Sequence, residues 1–117
     1  MYKLQIIRKF DAAHYLRNYQ GECAHLHGHT WKVVFTFVYY HITDIGSNGI
    51  IVDFKDLKKS IDDILPDHKY LNDLFSFNPT AENLAKFFYE TMKINNQYVY
   101  SVQVWESENS CAEYSEY

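Results

Sequence analysis

Apolar and polar positions alternate from Tyr2 to about His14, with Leu4, Ile6 and Ile7, then Phe10, and this predicts a β-strand. The alternation slips near Arg8, which permits a bulge. Tyr15 to Leu26 carries Asn18, Gly21 and other polar residues and reads as a loop. A long second strand, rich in β-branched and aromatic residues, runs from His27 to about Ile42. Thr43 to Gly49 has the composition of a turn. Asp53 stands as an N-cap before Phe54, Leu57, Ile61, Ile64 and Leu65, which recur at helical spacing and stop at Pro66. Asp67 to Pro79 follows as a polar connection. Thr80 caps a second helix, with an apolar stripe of Leu84, Phe87, Phe88, Thr91 and Met92, that ends at Asn95-Asn96. A strand from Tyr98 to Trp105 and a short one from Ala112 to Tyr117 complete the order ββααββ. Strands grouped around a helical pair predict an α+β domain: an antiparallel four-stranded sheet with two helices on one face.

The chain has 117 residues, which suits a single domain spanning 1–117. Aromatic residues reach 18%, with eleven Tyr and eight Phe, more than one small core needs. Subunit interfaces use such residues, so an oligomer is expected; a plain compositional bias is the other reading. An open sheet would also leave the charge-poor strand through Phe37 near an edge, and closure against neighbouring subunits removes that hazard. Net charge is −4 with no basic stripe, which argues against nucleic acid as a partner. No apolar run is long enough for a membrane span, and Lys3, Arg8 and Lys9 interrupt the first ten residues, unlike a signal peptide. A cytoplasmic chain with no membrane partner is expected. Cys23 and Cys111 could form one disulfide, but three His beside Cys23 and no secretory segment favour free thiols.

The candidate chemistry gathers in Cys23-Ala24-His25-Leu26-His27-Gly28-His29, with His14 upstream. On a strand His27 and His29 face the same way, about 6–7 Å apart along the backbone. His14 can complete a set of three. Three neutral imidazoles with one position left open is the pattern of a catalytic rather than a structural zinc. The bland alternative is that each His only packs or hydrogen-bonds.

Six stretches, in order along the chain, carry a family resemblance: Phe10-Asp11-Ala12-Ala13-His14, Cys23-x-x-x-His27-Gly28-His29, Gly49-Ile50-Ile51-Val52-Asp53-Phe54, Asp67-His68-x-x-Leu71-Asn72, Pro79-Thr80-x-Glu82-Asn83-Leu84-Ala85, and Glu106 after the late strand. Together they resemble the 6-pyruvoyltetrahydropterin synthase / 6-carboxytetrahydropterin synthase family of the tunnelling (T-fold) superfamily. The resemblance implies sheets from three subunits closed into a barrel, two barrels stacked as a homohexamer, and 7,8-dihydroneopterin triphosphate as substrate. Three residues between Cys23 and His27 look like the carboxy branch, a zinc-dependent carbon–carbon lyase of queuosine and deazapurine synthesis. That branch makes 6-carboxy-5,6,7,8-tetrahydropterin, acetaldehyde and triphosphate. The alternatives are the pyruvoyl branch of biopterin synthesis, the folate branch in which Glu replaces the Cys (here Glu22 adjoins an intact Cys23), and a non-catalytic pterin- or metal-binding protein.

Carried onto this chain, the resemblance implies His14, His27 and His29 as zinc ligands and Cys23 as the general base. His25 and His41 match no family position. Asp67 and His68 become a proton-transfer pair, in which the carboxylate orients the imidazole; capping of the first helix is the structural alternative. Glu106 becomes the pterin anchor, since a carboxylate can accept two parallel N–H donors, with Glu108 as rival. Thr80 and Glu82 are further pterin contacts, or simply the cap and dipole partner of the second helix. No Gly-rich phosphate loop is present, and Arg8, Lys9, Arg17 and Lys32 are triphosphate candidates only as the cations near the motif.

Overall fold

The computed structural model describes residues 1–40 and 48–117. His41, the expected strand end at Ile42 and most of the expected turn over 43–49 lie outside the described residues. β1 (Tyr2–His14) and β2 (His27–Tyr39) pair antiparallel along their whole length, from Tyr2 opposite Tyr39 to His14 opposite His27. That register is unbroken, so the bulge expected near Arg8 is not there. Ile7 simply points outward, and Arg8 takes the inward position, where its guanidinium donates to Asp62 at 2.8 and 2.6 Å. The register shifts fall elsewhere, at Thr36/Phe37 on β2 and at Trp105/Ser107 near the C-terminus.

Helix α1 (Phe54–Asp62) starts where expected, the Asp53 carboxylate accepting the Lys55 N–H at 2.9 Å. It ends before Leu65, because a residue preceding proline is pushed out of the helical region. Ile64 and Leu65 turn their N–H groups back onto the Ile61 carbonyl instead. Next come β3 (Lys69–Tyr70), α2 (Leu71–Leu74), α3 (Ala81–Asn95), β4 (Val99–Ser107) and β5 (Ser110–Ser115). The α+β architecture holds, but among the described residues the sheet has five strands, in the order β3-β1-β2-β4-β5, and there are three helices. The additions to the expected four strands and two helices are β3 and α2. At two and four residues they are too short for either period to register, and both lie in the stretch expected to be a connection.

The core lies between one face of the sheet and the helices, built on Trp31, Phe35, Phe37, Ile61, Leu84 and Phe88, all with no exposed surface. Phe10 stacks on Trp31 and meets Phe88 of α3 edge-on, each at 6.0 Å between centroids. Phe10, Ala12 and His14 therefore face α3, while Lys9 and Asp11 face the other side of the sheet. On its outer side β1 is paired only at Ala12 and Ala13, leaving Tyr2 to Asp11 without a strand neighbour there among the described residues.

Candidate metal centre and its surroundings

The β1–β2 register builds a three-histidine cluster. His14 and His27 are directly opposite across the ladder, and His29 is opposite Ala12, a small residue that leaves its ring room. Ring centroids are 4.6 Å apart for His14–His27, 4.7 Å for His27–His29 and 5.2 Å for His14–His29. Trp31 supports the cluster from below, with its ring 4.9 Å from His14 and 5.4 Å from His29. Glu106, at the end of β4, brings its carboxylate to 3.5 Å from His29 Nε2 and 4.0 Å from His14 Nε2. Ligating atoms of all four residues lie within 4.8 Å of one another.

The hydrogen bonds around these rings fit a cation. His14 Nδ1 donates to the Pro79 carbonyl at 2.8 Å, and His27 Nδ1 donates to the His25 carbonyl at 2.6 Å. A carbonyl only accepts, so each Nδ1 carries a proton, and Nε2 is the ring atom left to offer a lone pair. Those two Nε2 atoms face each other at 3.0 Å. His29 Nε2 is buried with no hydrogen-bond partner. Burial holds the His14 and His29 imidazoles below their ordinary range, with Glu106, and at His14 the Pro79 carbonyl, partly opposing it. A metal ion satisfies all three nitrogens at once, and this group can hold one.

The backbone carbonyls of Pro79 and His25 orient the ligands, and sequence patterns gave no sign of either. His25, which matches no family position, contributes its main-chain carbonyl.

Cys23 is half-buried in a 3-10 turn, Glu22–Ala24, beside the cluster in sequence but outside the 4.8 Å group. Its carbonyl accepts the Leu16 N–H at 2.8 Å, closing the loop that leaves β1. Two asparagine side chains hold that loop the way a neighbouring strand would. Asn72 bonds both the N–H and the carbonyl of Tyr15 (2.9 and 3.0 Å), and Asn78 does the same for Arg17 (2.8 and 3.1 Å). The Arg17 guanidinium is used up on the Phe77, Ser76 and Asn72 carbonyls. Cys23 and Cys111 are both free thiols.

Asp67 and His68 touch, with Oδ2 and Nδ1 3.0 Å apart. They do not cap α1, whose end is closed by its own last turn and Asp63. They are fastened to β1 by Asp11: its N–H donates to Asp67 Oδ1 at 2.9 Å, and its carbonyl accepts the His68 N–H at 2.7 Å. The Asp11 N–H, helped by the imidazole, keeps the Asp67 carboxyl below the usual carboxylate range. His68 sits in the left-handed region (φ 57), a conformation rare for non-glycine residues and found disproportionately at functional sites. Asp11 belongs to the Phe10–His14 stretch, but nothing in the sequence marks it as the fastening point.

Glu106 and Glu82 line one cleft of about 480 Å³ together with Ser107, Ser110 and Cys111. The Thr80 hydroxyl accepts the Asn83 N–H at 3.1 Å as the cap of α3. Glu108 lies on a second cleft, with Lys9, Lys32 and Trp105.

The sequence model of a family described as 6-pyruvoyl tetrahydropterin synthase matches residues 3–117. A 6-carboxy-5,6,7,8-tetrahydropterin synthase of Haemophilus influenzae is 27% identical, over 99% of this chain and 100% of its own length. A protein of the same name from Synechocystis is 32% identical, over 90% of this chain and 86% of its own. Among solved structures, the Caenorhabditis elegans 6-pyruvoyl tetrahydropterin synthase superposes with a TM-score of 0.84 over 99% of this chain and 96% of that one, at 22% identity. That likeness concerns the fold.

Proposed function

Because the chain belongs to the 6-pyruvoyl tetrahydropterin synthase family, we propose that it is a zinc-dependent 6-carboxy-5,6,7,8-tetrahydropterin synthase. In this reading it takes 7,8-dihydroneopterin triphosphate and water to 6-carboxytetrahydropterin, acetaldehyde and triphosphate. The observation that carries it is the His14–His27–His29 cluster, with its facing Nε2 atoms and the unpartnered Nε2 of His29. The names of the Haemophilus and Synechocystis relatives support the carboxy product, as does the three-residue spacer between Cys23 and His27.

When bound at this cluster, zinc supplies a Lewis acid that polarises the substrate's side-chain hydroxyls. The chain's own residues have these roles. Glu106 accepts the amino and ring N–H edge of the pterin, with Glu82 on the same cleft and Thr80 as a further contact. Its place between the histidines and the 480 Å³ cleft suits a group that meets both substrate and metal centre. Cys23, as the thiolate, removes a proton from the substrate side chain. The Asp67 carboxylate, 3.0 Å from Nδ1, orients His68, which moves a proton to or from the substrate. The largely unpaired outer edge of β1 supports closure into a homo-oligomer, a hexamer of two trimeric barrels. The free thiols suit a cytoplasmic setting.

The test is to incubate zinc-loaded protein with 7,8-dihydroneopterin triphosphate and identify the products by mass spectrometry. 6-Carboxytetrahydropterin with acetaldehyde is the expected result. A pyruvoyl product would move the chain to the biopterin-type reaction. Tight binding of an unchanged pterin would make it a binding protein.

A further inference from the structure

Lys9 and Lys32 stand directly opposite each other across the β1–β2 ladder, on the side of the sheet away from α3. Like charges at directly opposed positions work against strand pairing. Neither ammonium has an ion-pair partner among the described residues. The other two cations near the histidine motif are engaged, Arg8 with Asp62 and Arg17 with main-chain carbonyls. Lys32 rests instead on an aromatic face, its Nζ 4.2 Å from the ring centroid of Trp105, its directly opposed neighbour on β4. Lys9, Lys32 and Trp105 line a cleft of about 620 Å³ that also reaches His29 and Glu106. Gly28 also lines this cleft, with nothing within 4 Å of where a Cβ would stand. Glu106 turns its carboxylate to His29 rather than to the lysines, and Glu108 completes the lining.

We propose that Lys9 and Lys32 form a seat for a polyphosphate group, with Lys32 leaving the Trp105 ring when the seat fills. Two flexible ammonium groups from opposed positions can converge on one phosphate, each offering three donors. The identity of the anion as the substrate's triphosphate arm rests on the function proposed above; the seat itself rests on the register and the unpaired charges.

The probe is inorganic triphosphate added to metal-free full-length protein, so that chelation plays no part. Binding is followed by calorimetry and by Trp105 emission, with Trp105→Phe identifying the signal. Wild type is expected to bind with a change in Trp105 emission, and affinity to fall about tenfold in Lys9→Gln and in Lys32→Gln, the size expected for one lost charge-assisted contact. Lys9→Arg and the remote Lys86→Gln should bind like wild type. Folding of the Gln variants is checked by thermal melting, and removing one of two opposed charges should leave Tm equal or higher. Undiminished binding in both Gln variants, or no binding by wild type, would overturn the seat. Turnover of the pterin triphosphate with unchanged KM in both variants would overturn the assignment of the seat to the substrate's triphosphate arm while leaving the function intact. Loss of triphosphate binding in the variants of a protein that turns nothing over would uphold the seat and remove the function.

Discussion

His14 and His29 are held as neutral rings by burial, and this has a signed consequence. Below the ordinary imidazole value of 6.5 the unfolded chain takes up protons at these positions before the folded one does. Their contribution to stability is therefore constant above about pH 6.5 and is lost as the pH falls below it. Metal-free protein should melt at progressively lower temperature from pH 6.5 to pH 5, and a flat Tm over that range would contradict the burial argument. At Cys23 the expectation is different. Cys23→Ala should retain the metal, because the thiol stands outside the 4.8 Å group, yet lose at least about a hundredfold in turnover, the usual reach of a general base. Metal content by atomic emission, measured beside the rate, separates the two effects. The three histidines were legible in the sequence because strand period and antiparallel pairing bring them together. The carbonyls of Pro79 and His25 that aim them were not, since a main-chain acceptor is available at every residue and only the fold selects which one is used.

The two longer helices each begin at a polar side-chain cap. Thr80 accepts the Asn83 N–H at the start of α3, and Thr80→Ala should cost about 1 kcal/mol. That is roughly a 4–6 °C drop in Tm for a chain of this size, with α3 helicity checked by circular dichroism. The long strands and the two longer helices could be read from periodicity. β3 and α2 could not, because they are held by contacts from afar: Asp11 receives the segment before β3, and Asn72 and Asn78 replace a strand partner for the loop after His14. Arg8 misled the pattern for a related reason. It occupies an inward position on β1 because Asp62 on α1 meets it there, and a pattern of apolar residues cannot register that partner.

Taken whole, the chain is extended, 54 × 27 × 26 Å with a radius of gyration of 15.6 Å. A compact domain of this length would have about 13 Å. The excess comes with two thirteen-residue strands, of which β1 has a bare outer edge along most of its length. Sedimentation velocity should therefore find a species several times the 14.0 kDa of one chain. A stable monomer at micromolar concentration would speak against closure of the sheet with other copies.

The bond from His14 to the Pro79 carbonyl ties the histidine cluster to the residue just ahead of the α3 cap. Filling the cluster fixes the His14 ring, and the ring in turn fixes the point from which α3 sets out. Metal loading should thus be felt along that helix as slower amide exchange in its first turns, around Leu84 and Ala85, while the far end near Asn95 exchanges as before.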